Sequence, residues 1–459
     1  MLQAHSAHVH DRDRDHDRQP SGALYVHLLA HCMRYSCMHP FECHRFSRLS
    51  RFSTRPARLG SNCDSHCCTC MLLSDLRTPP AHYRFLHVGA AKVGSTSADD
   101  HFCWQRPEDM EYPRPVQIAS VAPDLASEMA AALAAASIVF QEEPKYSKKL
   151  VHAAKIAYKF AIGSGQQTAY SAENDASVPF YNSSGFWDEL IWGAAWMYYA
   201  TGNYSYLSLA TSPTLPNNAN AFSQIPYLSV FSWDNKLPGA ELLLARLRIV
   251  LNPGYPYEEM LRAYHKTVDF NMCSLLQMFK IFKYSKGGLI QLNRRKPQPL
   301  PYAVNAAFLA TLYADYMNDS NIPGWYCGAS YISALTLRKF AASQVKYILG
   351  ANPMNMSYVV GYGQNFPSHV HHRGASIPSN QRHVSCTEGW KWRDAKTPNP
   401  HIITGAMVGG PNQLDRFVDK RQNYNFTEPT IAGNAGLVAA LVALTSSSDR
   451  GSARNSILN

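Results

Sequence analysis

Ser357-Tyr-Val-Val-Gly-Tyr-Gly-Gln-Asn-Phe-Pro-Ser-His-Val-His371-His372-Arg373 opens a stretch that closes with Phe417-Val-Asp419-Lys-Arg-Gln-Asn-Tyr424-Asn-Phe-Thr-Glu428-Pro-Thr-Ile-Ala-Gly-Asn434-Ala435. Two carboxylates, a His/Arg pair and several aromatics fall within it, separated by Gly/Pro-rich connections. Carboxylates supply acid and base chemistry, His and Arg donate hydrogen bonds to hydroxyls, and aromatic rings stack on apolar faces. Such ingredients suit a polar cleft that handles a neutral, ring-shaped substrate.

Both segments closely resemble the two sequence patterns of the family 9 glycoside hydrolases, the plant-type endo-β-1,4-glucanases. The run NYNFTEPTIAGNAGLVAALVAL at 423–444 is most similar to the membrane-anchored, Korrigan-type branch. The resemblance implies an all-α (α/α)6 barrel whose cleft is built from loops at one end. It also implies hydrolysis of internal bonds of cellulose or a related β-1,4-glucan, in cellulose catabolism and cell-wall organisation, by inversion. In that mechanism one carboxyl protonates the departing oxygen while a second carboxylate activates water. By motif position Glu428 is the general acid, flanked by Phe426 and Pro429, which favour the protonated form by excluding water. Asp419 orders the surrounding polar groups, and His371 marks the active-site histidine. Arg373 binds glucose hydroxyls with it, and Tyr424 shapes the cleft wall.

Upstream, Asp100-His101-Phe-Cys103-Trp104-Gln-Arg106-Pro107-Glu108 resembles the family's Asp-His-x-x-Trp…Pro-Glu stretch. That likeness places His101 and Trp104 along the cleft. Phe231-Ser-Trp233-Asp-Asn-Lys236 resembles the family's Ser-Trp-Asp-Asn loop, so Trp233 is either a stacking platform for a glucose face or a core tryptophan. One departure stands out. The family's general base is an Asp in an Asp-Ala-Gly-Asp segment upstream of these motifs, and this sequence contains no such tetrapeptide. The expectation is therefore a barrel lacking its first helices, and the alternative reading is a glucan-binding remnant with impaired turnover.

Periodicity agrees with an all-α chain. Apolar residues at helical spacing predict helices over 125–140, 146–162, 186–200, 240–250, 257–272, 305–317, 334–349 and 436–445, with a short extended stretch at 287–293. Helix–loop–helix repetition excludes a doubly wound sheet but does not choose among all-α folds. Asp188 and Glu189 lie in a helix that is structural elsewhere in the family.

Residues 1–83 differ from the rest. They contain no lysine and seven of the eleven cysteines. The alternating run DRDRDHDR at 11–18 reads as a solvated, disordered segment. The cluster Cys63-Asp-Ser-His66-Cys67-Cys68-Thr-Cys70 has zinc-type ligands but no second pair at finger spacing, so no metal site is assigned. The expected organisation is a non-family segment at 1–83, a partial catalytic domain at 84–445 and a polar tail at 446–459.

The formal charge of +10 is spread without a basic block or a recognition motif, so no nucleic-acid partner is expected. The expected partner is a β-1,4-glucan. No cofactor is expected; the resemblance allows a structural calcium, but no loop has a ligand pattern for it. Sequons at Asn182, Asn203, Asn318, Asn355 and Asn425 lean toward a glycoprotein of the secretory pathway, as cell-wall or plasma-membrane members of the family are. No signal peptide or membrane-spanning run is visible.

Overall fold

The computed structural model describes residues 86–89, 103–110, 116–172, 181–293 and 296–445. The expectations for 1–83 and 446–459, and for His101, lie outside the described residues.

Helices dominate. In chain order the long ones are α1 (Pro123–Val139), α2 (Pro144–Ala161) and α3 (Trp187–Thr201), followed by the short α4 (Tyr204–Thr211) and α5 (Thr214–Asn218). Then come α6 (Leu237–Arg246), α7 (Glu258–Leu275), α8 (Pro299–Asp319) and α9 (Ala334–Ile348). Three single-turn helices, α10 (Arg373–Ser376), α11 (Trp390–Arg393) and α12 (Tyr424–Thr427), precede α13 (Ile431–Thr445). The described strands form only three two-stranded antiparallel sheets, β1 (Leu86–Gly89) with β2 (Val116–Ala119), β3 (Lys283–Tyr284) with β4 (Ile290–Gln291), and β5 (Gly324–Cys327) with β6 (Ser330–Ser333).

Two cores result. The first joins α1, α2, α3 and α6, and its packing depends on small residues. Ala126, Ala130 and Ala134 bury one face of α1 at helical spacing. Gly193 of α3 lets three helices meet, because a Cβ there would lie 2.7 Å from Tyr158 Cε2 of α2 and 3.3 Å from the Ser127 carbonyl of α1. The Tyr158 hydroxyl then donates to the Leu190 carbonyl at 2.9 Å. The second core surrounds α8, apolar nearly all round and covered by α9 and α13. Arg338 of α9 crosses it, paired with buried Asp315 of α8 and donating to the Ala443 carbonyl near the end of α13 at 3.2 Å. Phe231 packs against both cores and joins them.

The predicted helices are present, with informative shifts. α8 starts at Pro299 rather than 305, because prolines at 299 and 301 occupy a first turn whose N–H groups need no intrahelical partner. α6 ends early and continues as a π turn, Leu247–Leu251. α4 was not expected; Asn203 caps it, its side chain accepting from Ser205 N at 2.9 Å. Disulfides Cys103–Cys386 and Cys273–Cys327 pair four cysteines whose partners the sequence left open.

Candidate active site

The loops between α9 and α13 carry the two opening motifs, and backbone bonds bind them into one unit. Val360 N donates to the Ala406 carbonyl at 2.9 Å, Val408 N to Tyr358 at 3.0 Å and Gly410 N to Phe426 at 3.0 Å. Asn434, which closes the second motif, accepts from Met407 N at 3.0 Å and donates to the Gly405 carbonyl at 2.8 Å. The decisive link is His371 N to the Thr427 carbonyl at 3.1 Å, which sets the first motif beside the residue preceding Glu428.

Four predicted residues gather there. The His371 ring stands edge-on to Trp104 with centroids 4.8 Å apart, and Tyr424 flanks it at 5.8 Å. The Arg373 guanidinium lies 5.9 Å from the Trp104 centroid, a cation–π distance. Because a carbonyl only accepts, the 2.6 Å contact from His371 Nδ1 to Arg421 O places a proton on Nδ1. Tyr424 is 54 % exposed and forms an open wall. Trp104 is different. Its indole is 2 % exposed and donates to Ser376 Oγ at 2.9 Å, so it offers no open face and instead backs His371 and Arg373 from below. The Cys103–Cys386 bridge and a bond from Trp104 N to the Cys386 carbonyl hold it there.

Glu428 is 8 % exposed at the end of α12. Gln298, at the start of α8, donates from Nε2 to its Oε2 at 3.3 Å, and Gln298 N donates to the Asn425 carbonyl at 3.0 Å. Asp419 faces the other motif. Its carboxylate accepts from Ser368 N (2.8 Å), Ser368 Oγ (3.0 Å) and His369 N (3.0 Å), fastening the turn that leads into His371. Arg421 lies between the two acids in sequence and is 2 % exposed. Its guanidinium donates to Asn399 Oδ1 and to the carbonyls of Trp392, Ala395 and Thr397, so it organises the 392–399 loop.

Trp233 stands apart on the turn before α6, 45 % exposed and edge-on to Tyr181 at 5.6 Å. Its loop nevertheless shares the N-terminal end of α8 with Glu428: Asn305 Nδ2 donates to the Phe231 carbonyl at 3.2 Å, and the Lys296 charge acts on Asp234. Asp188 and Glu189 serve the same loop rather than a reaction centre, since Asp188 accepts from Lys236 N at 2.7 Å. Among the described residues no group of three or more His, Cys, Asp or Glu is placed to hold a metal ion.

Comparison with known proteins assigns the family. The sequence profile described as glycosyl hydrolase family 9 matches residues 80–441. The chain belongs to glycosyl hydrolase family 9. It is 60 % identical over 363 residues to Endoglucanase 12 of Oryza sativa subsp. japonica, covering 79 % of this chain and 58 % of that one. Endoglucanase 25 of Arabidopsis thaliana is 60 % identical over 358 residues, covering 78 % and 57 %. The chain thus spans under three fifths of the length of these relatives. Among solved structures, the endoglucanase of the termite Nasutitermes takasagoensis aligns with a TM-score of 0.64 at 32 % identity, over 78 % of this chain and 73 % of that one. Endoglucanase CelQ from Clostridium thermocellum, solved with cellobiose and cellotriose, aligns at 0.57 and 32 % identity over 75 % and 52 %. The helices of this family 9 chain are accordingly those of an (α/α)6 barrel, and no described helix is long and apolar enough to cross a membrane.

Sequence reasoning missed Gln298, Arg421 and Tyr181. Gln298 lies 130 residues from its partner, with no motif around it. Arg421 had a faint signal, a lone arginine between two motif acids. Nothing local marked Tyr181.

Proposed function

We propose that this chain is an endo-β-1,4-glucanase that hydrolyses internal bonds of cellulose or a related cell-wall β-glucan with inversion at the anomeric carbon. The observation that carries this reading is the joining of the two motif segments by the His371–Thr427 bond, which groups His371, Arg373 and Tyr424 around the end of α12 where Glu428 stands. Glu428, 8 % exposed, protonates the departing glycosidic oxygen. Gln298 Nε2 donates to Glu428 Oε2 and so helps orient the carboxyl. His371, oriented through its Nδ1 bond, contacts glucose hydroxyls, while Arg373 donates to neighbouring hydroxyls from its station beside Trp104. Asp419 holds the backbone that carries His371. Inversion also requires a second carboxylate on the opposite side of the sugar ring to activate the attacking water. The setting we assign is the secretory pathway and cell wall, in cellulose turnover.

Proton NMR of cellopentaose during hydrolysis tests the reading. Inversion requires the α-anomer to appear first at the new reducing end; the β-anomer first, or a mixture from the outset, overturns it. A second reading has one observation in its favour, the lack of an Asp-Ala-Gly-Asp segment in this sequence. Under it the chain binds β-glucan and turns over none.

A further inference from the structure

Lys236 is a buried cation that the chemistry above does not use. It is 8 % exposed, and its ammonium donates to the carbonyls of Ser232 at 3.1 Å and Trp233 at 2.6 Å while pairing with Glu128 of α1. Its three protons thus have three acceptors, the condition under which a buried ammonium is tolerated. Glu189 is buried nearby with Oε2 lacking a hydrogen-bond partner, and burial first, then the Asp188 charge, pushes its pKa well above the usual carboxylate range. The rest of the turn is equally constrained. Asn235 Nδ2 reaches the carbonyls of Tyr227, Leu228 and Val230, Asp234 Oδ1 accepts from Ser184 N at 2.8 Å, and Ser232 N closes onto the Asn235 carbonyl at 3.0 Å.

All of this clamping acts on backbone. The group left outside it is the Trp233 indole, half open to solvent and supported edge-on by Tyr181. The turn also lies along α8 from Glu428. Asn305, which holds Phe231, is seven residues beyond Gln298, a rise of about 10 Å. The turn that carries Trp233 is thus anchored to the same helix whose N-terminal neighbour Gln298 reaches Glu428.

We propose that Lys236 is a positioning residue for polymer recognition: held by Glu128 and Asp188, it locks the 232–235 turn so that Trp233 presents one fixed ring face to a glucose unit of a β-1,4-glucan. This inference rests on the β-glucan reading above. It makes Lys236, Glu128 and Tyr181 determinants of affinity for long chains, acting through Trp233.

Affinity electrophoresis of the full chain in gels containing hydroxyethylcellulose tests this without requiring turnover. Trp233→Ala should weaken retardation about threefold to tenfold, the range of a lost stacking contact. Lys236→Met should weaken it to a similar degree, and Lys236→Arg less. Glu128→Gln, at a partly exposed position, should weaken it while leaving the melting temperature near that of the parent. The double variant Trp233→Ala/Lys236→Met should bind no more weakly than Trp233→Ala alone, because both act on one contact. Parent-like retardation of folded Glu128→Gln and Lys236→Arg, or additive losses in the double variant, overturns the role of Lys236. A parent chain that is not retarded at all overturns the β-glucan reading itself, a distinct outcome.

Discussion

Replacing Arg421 by Met removes the most connected side chain near the site. Four donated bonds are lost, at 2.6, 2.7, 2.9 and 3.1 Å, together with a longer one of 3.4 Å to the Arg393 carbonyl. A hydrogen bond to a charged group contributes about 1.5–3 kcal/mol, but water entering the truncated site re-solvates some acceptors, so about 1 kcal/mol each is the safer figure. The loss is then about 4 kcal/mol. For a domain of roughly 350 residues the unfolding entropy makes 1 kcal/mol worth about 1.5 °C, so the melting temperature should fall by about 6 °C. The 392–399 loop would loosen, and with it the carbonyl that orients His371. A weakened hydroxyl contact then lowers kcat/KM about tenfold beyond what partial unfolding explains. Arg421→Lys should recover part of both, since an ammonium satisfies some of the same carbonyls. Differential scanning calorimetry and steady-state kinetics on cello-oligosaccharides read the two effects. A variant that melts within about 1 °C of the parent and keeps its kcat/KM would refute the reasoning.

His265 gives a pH signature. Burial first, then the Arg248 charge, pushes its pKa down from 6.5 to about 4, against an opposing pull from Glu258. Its contribution to stability is therefore fully present above about pH 6.5 and is lost as pH falls toward 4, by up to about 3 kcal/mol. The stability gap between parent and His265→Gln should narrow over that window in urea titrations; a pH-independent gap contradicts the sign. Cys103→Ser/Cys386→Ser releases the segment that holds Trp104 behind His371, so kcat/KM should fall along with a stability loss of about 2–5 kcal/mol; stability loss with unchanged kinetics would separate Trp104 from the site. Gly193→Ala forces a methyl against Tyr158 and should cost about 1–3 kcal/mol in chemical denaturation, whereas an unchanged midpoint would mean that α2 shifts freely.

What the sequence made legible follows the reach of each physical signal. Apolar periodicity is local, so α1, α2, α3 and α9 could be read to within a few residues. The start of α8 was hidden because Pro299 and Pro301 resemble loop residues until the first-turn exception is applied. α4 is short and depends on a side-chain cap, and β5–β6 on a disulfide to α7, so neither had a strong local pattern. At the site, motif spacing brought His371, Arg373, Tyr424 and Glu428 into view together. It could not reveal that Trp104 lies beneath them, that Gln298 reaches Glu428 from another helix, or that Arg421 holds a loop. Those are burial and hydrogen-bond relations across distant segments, which spacing along the chain does not encode. His101 lies outside the described residues.

The most direct test of the central claim is reducing-end release from amorphous cellulose by this chain and by Glu428→Gln, both shown to be helical and monodisperse. The account predicts release by the parent and a loss on the order of 10²-fold or more in the variant, as removal of a general acid requires. A folded parent that releases nothing, or a variant as fast as the parent, contradicts it.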